Sequence, residues 1–141
     1  MRKLSLYLVV MAALTLGVFL LVHAGDKKMS MKGQTLEGTL VDLKCYSAGG
    51  FLTNDHMNMK GKKLPNCATA CATMGLPVGV VDSQNHVHVL AVPAAAYAKW
   101  MAKQVRLTGM NGKYADVFLP SSLEVKENGK WVKKELPGTM M

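Results

Sequence analysis

Gln104-Val105-Arg106-Leu107-Thr108-Gly109-Met110-Asn111-Gly112 is the stretch whose reading decides the fold. Val105 and Leu107 alternate with Arg106 and Thr108, the two-residue period of a strand with one buried face. Asn111-Gly112 is a strong hairpin signal and leads into a further strand over 114–119. Upstream, residues 93–103 read as a helix. Pro93 suits its first position, and Tyr97, Trp100 and Met101 are spaced to cover one face.

Continuing outward, 78–82 and 86–92 read as two strands joined at the turn-type sequence Ser83-Gln84-Asn85. Residues 35–46 carry β-favouring residues and a central Gly38, which suits a long strand with a bend and puts Cys45 at its far end. Between these lies a stretch over 47–66 rich in Gly, Asn, Asp and Pro. Its length points to a functional or a disordered loop. A short helix follows over 66–74, with Asn66 at its start and Gly75 and Pro77 at its stop. Downstream, 122–126 and 130–135 form a last hairpin through Asn128-Gly129. Met74, Met101 and Met110 are assigned to core packing.

The chain has 141 residues and a net charge of +8, room for one domain. Arg2 and Lys3 precede a 19-residue apolar run, Leu4 to Val22, and His23-Ala24 follows it. Residues 1–24 therefore read as an export signal, with an uncleaved anchor as the competing reading because the run nearly spans a bilayer. Residues 25–34 are polar and Lys-rich, a flexible leader; 35–136 form the domain, and 137–141 a tail. The mature chain keeps 15 Lys and Arg against 9 Asp and Glu, scattered along its length. That pattern makes a generally cationic surface, not a nucleic-acid stripe. The expected address is exported, periplasmic or extracellular, with any membrane attachment through the N-terminal segment alone.

The element order, with a helix between the third and fourth strands, resembles the oligonucleotide/oligosaccharide-binding (OB) fold over residues 35–126. The expected class is all-β with minor α: a five-stranded OB-like barrel, with an inserted cysteine loop and short helix after the first strand. Gly38-Thr39-Leu40-Val41-Asp42-Leu43-Lys44-Cys45-Tyr46, with Cys67-Ala68 through Cys71, Gly75, Pro77 and Gly79, is also similar to a group of small exported bacterial proteins of unassigned function. That group pairs a Gly-x-Leu-Val-Asp-x-x-Cys opening with a His-x-x-Cys-Ala-x-x-Cys helix start. Here Leu64 stands three residues before Cys67, where the group has histidine; His56 in the preceding loop is the candidate substitute.

Three cysteines are an odd number for an oxidising address. Cys67 and Cys71 stand one helical turn apart on one face, and Cys45 can supply a third sulfur. One reading is a soft-metal site of Cys45, Cys67 and Cys71 with His56. The other is a disulfide from Cys45 to Cys67 or Cys71, stapling the loop to the barrel and leaving a spare thiol. Cys67 with Cys71 is a poor pair, because i and i+4 cysteines sit near the distance limit with badly aimed Cβ vectors. No Cys-x-x-Cys is present, so no haem attachment is indicated.

Nine methionines lie beyond residue 24, among them Met29 with Met31, Met140 with Met141, and the cluster His56-Met57-Asn58-Met59. Thioether and imidazole suit Cu(I), so Met57 and Met59 join the candidate ligands. This short segment loosely resembles the ligand sets of periplasmic copper-carrying proteins, one class of which is an OB-type barrel. Copper is the leading cofactor, with zinc as the alternative. His86 and His88 share one face of a strand and are secondary metal candidates, against the plainer reading of a solvated strand face. The aspartates, Asp42 included, and Ser121-Ser122 form no recognisable nucleophile, base and orienter spacing. Tyr97, Trp100, Tyr114, Phe118 and Trp131 could stack bases, but export argues against nucleic acid. The reading is a non-catalytic envelope module that holds a soft metal ion and meets a metal-accepting or envelope protein. The alternative is a disulfide-stapled interaction domain.

Overall fold

The computed structural model describes residues 33–113 and 115–137. The segment read as an export signal, the expected leader as far as Lys32, Met29, Met31, Tyr114 and the tail from Gly138, with Met140 and Met141, lie outside the described residues. Among those described, no helix is long and apolar enough to cross a membrane.

The architecture is mostly β with a few short helices. Six strands form one antiparallel sheet in the order β5-β4-β1-β6-β7-β8. They are β1 (Gln34–Asp42), β4 (Val78–Val81), β5 (Val87–Val89), β6 (Gln104–Asn111), β7 (Phe118–Glu127) and β8 (Lys130–Lys134). Two helices, α1 (Leu43–Gly49) and α2 (Cys67–Thr73), follow β1, with a small hairpin of β2 (His56–Met57) and β3 (Lys63–Leu64) between them. Helix α3 (Ala94–Tyr97) runs on as a 3-10 turn, Ala98–Trp100, between β5 and β6.

β1 is the centre of the sheet. Its first part, Gln34 to Thr39, pairs with β6, and its last part, Thr39 to Asp42, pairs with β4. The change of partner falls at Thr39, next to Gly38, where a Cβ would stand 2.1 Å from the Val81 carbonyl oxygen. The lack of a side chain at Gly38 is what lets β4 approach. Leu40, Val80, Val105, Leu107, Leu123 and Val125 are fully buried on the inner face and form one core with Tyr97 and with Ala68 and Ala72 of α2. Tyr97, Trp100 and Met101 beside them are buried as their spacing requires. That burial takes Tyr97, Trp100 and Phe118 out of any base-stacking surface. Trp131 is half-buried, with the Arg106 guanidinium 4.2 Å above its ring.

Four expectations are corrected. The strand over 35–46 stops at Asp42, and Cys45 sits in the first turn of α1. Asp42 Oδ1 accepts the Cys45 N–H at 2.9 Å and caps that helix, while Gly50 (φ 66) ends it. The strands expected over 114–119 and 122–126 are one strand, β7, running through Pro120. Pro120 lies opposite Gly109 beside a register shift, where its missing N–H breaks no regular ladder. Asn111 pairs with Phe118, so a longer loop joins β6 to β7 in place of a two-residue turn. Met74 and Met110 are 70% and 49% exposed, outside the core, whereas Met101 is buried. By contrast, Asn128 (φ 50) and Gly129 (φ 78) make the two-residue turn their sequence announces.

Among the described residues no ladder joins the two edge strands, β5 and β8. One parallel bridge, Leu90 to Phe118, brings the end of the β5 segment beside the start of β7.

Candidate metal centre

The site forms where β1 ends. The Asp42 cap turns the chain into α1 and puts Cys45 in the first turn, beside the carboxylate that caps it. The segment over 50–66 then folds back. Thr53, Asn54 and Asp55 lead into β2, and the Asn58 side chain accepts the Lys60 and Lys62 N–H groups to tighten the β2–β3 turn. The stretch read as a loop is thus built of α1, a hairpin and a tight turn.

α2 is held from outside. Asn66, expected to cap it, has φ 53 and makes no side-chain cap bond. Asn54 does that work: its Oδ1 accepts the Thr69 N–H at 2.9 Å and the Thr69 hydroxyl at 3.0 Å, and its carbonyl accepts the Ala68 N–H. Asp55 accepts the Asn66 N–H at 2.9 Å and pairs with Lys63. Those two contacts hold the exposed Asp55 carboxyl below its ordinary pKa, the Asn66 bond most strongly. Asn54→Ala should therefore destabilise the protein by about 1–2 kcal/mol, as loss of a helix cap does, and thermal unfolding measures it.

This arrangement brings the three sulfurs together. Cys45, Cys67 and Cys71 are free thiols whose Sγ atoms all lie within 4.8 Å of one another. Cys45 Sγ and Cys67 Sγ are 3.9 Å apart. A disulfide requires about 2.05 Å. A tetrahedral ion with metal–sulfur bonds of about 2.3 Å holds its sulfurs about 3.8 Å apart, so the observed spacing, that of a thiol–thiol contact, is also one a chelate could use.

A second set shares Cys45. Asp42, Cys45 and His56 also offer ligand atoms within 4.8 Å of one another. Among the described residues Asp42 and His56 are the buried polar or charged side chains, 2% and 3% exposed. His56 Nε2 lies 2.8 Å from the Thr53 carbonyl oxygen and donates to it. That bond leaves the lone pair on Nδ1, and Nδ1 is buried with no hydrogen-bond partner. A ring fixed by one N–H on a backbone carbonyl, with the other nitrogen bare, is how metal-ligating histidines are held. Phe51 stacks on the ring at 4.7 Å and closes its other side.

The electrostatics favour a cation. Burial pushes the Cys45 thiol up to about 12, and the Asp42 charge and the neighbouring Cys67 add to the shift. Cys71 is raised by the same two leading causes, burial and then Asp42. Thiols so placed stay protonated at neutral pH and are poor nucleophiles. A bound metal ion reverses that logic, since a coordinating thiol gives up its proton outright.

Of the residues singled out in the sequence, Cys45, Cys67 and Cys71 converge, and His56 joins Cys45. Met57 and Met59 do not: they are 59% and 106% exposed, because strand alternation turns Met57 away as it turns His56 inward. His86 and His88 both face Asp82, with His88 Nε2 3.0 Å and His86 Nδ1 3.6 Å from Asp82 Oδ2. The His88 contact and the His86 and Gln84 N–H groups hold the Asp82 carboxyl down at about 2. Asp42 is the member that sequence reasoning missed as a ligand. Its signal was the spacing to Cys45, which is that of an N-cap to the N–H it accepts. No protein-family model, curated protein or solved structure matches the chain.

Proposed function

We propose that this protein is an exported, non-catalytic module that holds a thiophilic metal ion on Cys45, Cys67 and Cys71. One observation carries the reading: three free thiols converge within 4.8 Å, with Cys45 and Cys67 3.9 Å apart. Copper as Cu(I) is the ion proposed. Soft thiolates select it. The fold is proposed to curl into an OB-type barrel. Support comes from the strand order β5-β4-β1-β6-β7, from α3 between β5 and β6, and from the parallel bridge of Leu90 to Phe118. Export rests on the N-terminal sequence, and the partner is proposed to be a metal-accepting protein of the envelope.

The test is to purify the exported form without chelator and to count thiols and metal on one sample. Three reduced thiols with a retained ion are expected. Two thiols lost to oxidation with no stoichiometric metal would establish instead a disulfide staple from Cys45 to Cys67 or Cys71. Because Met57 and Met59 face solvent, the Met57→Leu, Met59→Leu double variant should bind Cu(I) with unchanged affinity in a competition titration.

A further inference from the structure

Cys45 belongs to both ligand sets, and the second set has a free donor of its own. A carboxylate oxygen of Asp42, the Cys45 sulfur and a ring nitrogen of His56 lie within 4.8 Å of one another, and His56 Nδ1 is a buried lone pair without a partner. An unpaired polar atom in the interior is costly unless something occupies it. The two sets also differ in chemistry. Three thiolates make a soft site; a carboxylate, an imidazole and a thiolate make a borderline one. Charge points the same way. Three thiolates and a carboxylate bring four negative charges to a half-buried site, and one ion, monovalent or divalent, leaves at least two of them uncompensated.

Resting on the proposed thiolate site, we infer that the centre is dinuclear: a second, borderline divalent ion binds between Asp42, His56 and Cys45, and the Cys45 thiolate bridges the two ions. The thiol proton leaves to solvent as the bridge forms. Asp42 thereby has two roles, capping α1 through Oδ1 and ligating through Oδ2. Thr53 fixes the His56 tautomer that exposes Nδ1.

The test uses the reduced, metal-stripped full chain in a His86→Ala, His88→Ala background, so that the Asp82 cluster cannot take zinc. One equivalent of Cu(I) is added, then excess Zn(II); after gel filtration the bound ions are counted by native mass spectrometry. One copper and one zinc per chain are expected. His56→Ala should lose the zinc and keep the copper. Asp42→Asn, which retains an oxygen to cap α1, should weaken the zinc by at least about tenfold, the scale of a lost metal-site interaction. Copper without zinc in the parent would overturn the dinuclear centre while leaving the thiolate site standing, as would zinc that persists in both variants. No retained copper would overturn both readings.

Discussion

Cys45→Ser is expected to abolish stable metal retention, a larger effect than any other single ligand change. Cys45 alone belongs to both donor sets, so its loss removes a ligand from each. Structural metal sites bind with about 10–16 kcal/mol spread over four ligands, so one ligand is worth about 3 kcal/mol, at least two orders of magnitude in affinity. The apo-protein should lose little stability, because the Cys45 N–H still caps onto Asp42 and the side chain is only half-buried. Competition with a chromophoric Cu(I) chelator reads the affinity, and circular dichroism reads the fold. An unchanged affinity would remove Cys45 from the centre. Cys71→Ser touches only the thiolate set and should leave the Asp42–His56 side intact.

Acid should weaken binding on the same physical ground. Metal binding releases thiol protons, so apparent affinity rises about tenfold per pH unit for each proton released. A thiol with an ordinary pKa stops contributing once the pH passes it. Cys45, raised to about 12, stays protonated in the metal-free protein up to pH 9, and Cys71 is raised as well. The affinity should therefore climb by about a decade per unit from Cys45 from pH 6 to 9 without levelling, with Cys71 adding to the slope. Competition titrations at pH 6, 7, 8 and 9 check the slope.

Periodicity and turn chemistry made most of the sheet legible. β6 was readable because Val105 and Leu107 face the core while Arg106 and Thr108 do not, and the Asn128-Gly129 turn because both residues accept positive φ. The centre was partly legible: helical spacing aligned Cys67 with Cys71, and the odd cysteine count pointed to Cys45 as a third party. Its organising residue was hidden by competing local signals. Leu40-Val41-Asp42-Leu43 continues a strand pattern, and only tertiary pairing of β1 with β4 decides that it ends at Asp42. Once it ends there, Asp42 is a cap and Gly49-Gly50 a helix stop. The cap on α2 was illegible for a different reason, since Asn54 reaches it from 15 residues away in sequence. Met57 and Met59 could be matched to copper by composition, but which face of β2 a residue takes depends on its pairing with β3.

Gly38→Ala is expected to destabilise the protein by about 4 kcal/mol, beyond the usual range for added methyl groups, because the obstruction is backbone. The new Cβ would stand 2.1 Å from the Val81 oxygen and 2.7 Å from the Val81 carbonyl carbon. Neither atom can swing aside as a side chain can. β1 and β4 would have to separate where β1 changes partner, and Leu40 and Val80, both fully buried, would lose packing with them. For a domain of this size that loss lowers the unfolding temperature by more than about 15 °C. Gly50→Ala is the control: its φ of 66 imposes strain, but nothing lies within 4 Å, so it should cost only about 1–2 kcal/mol. The effect should also reach the metal. The segment from Gly38 to Asp42 delivers the cap that orients Cys45, so residual folded Gly38→Ala protein should hold copper more weakly than Gly50→Ala. Equal affinity in the two folded variants would mean that Gly38 serves stability alone.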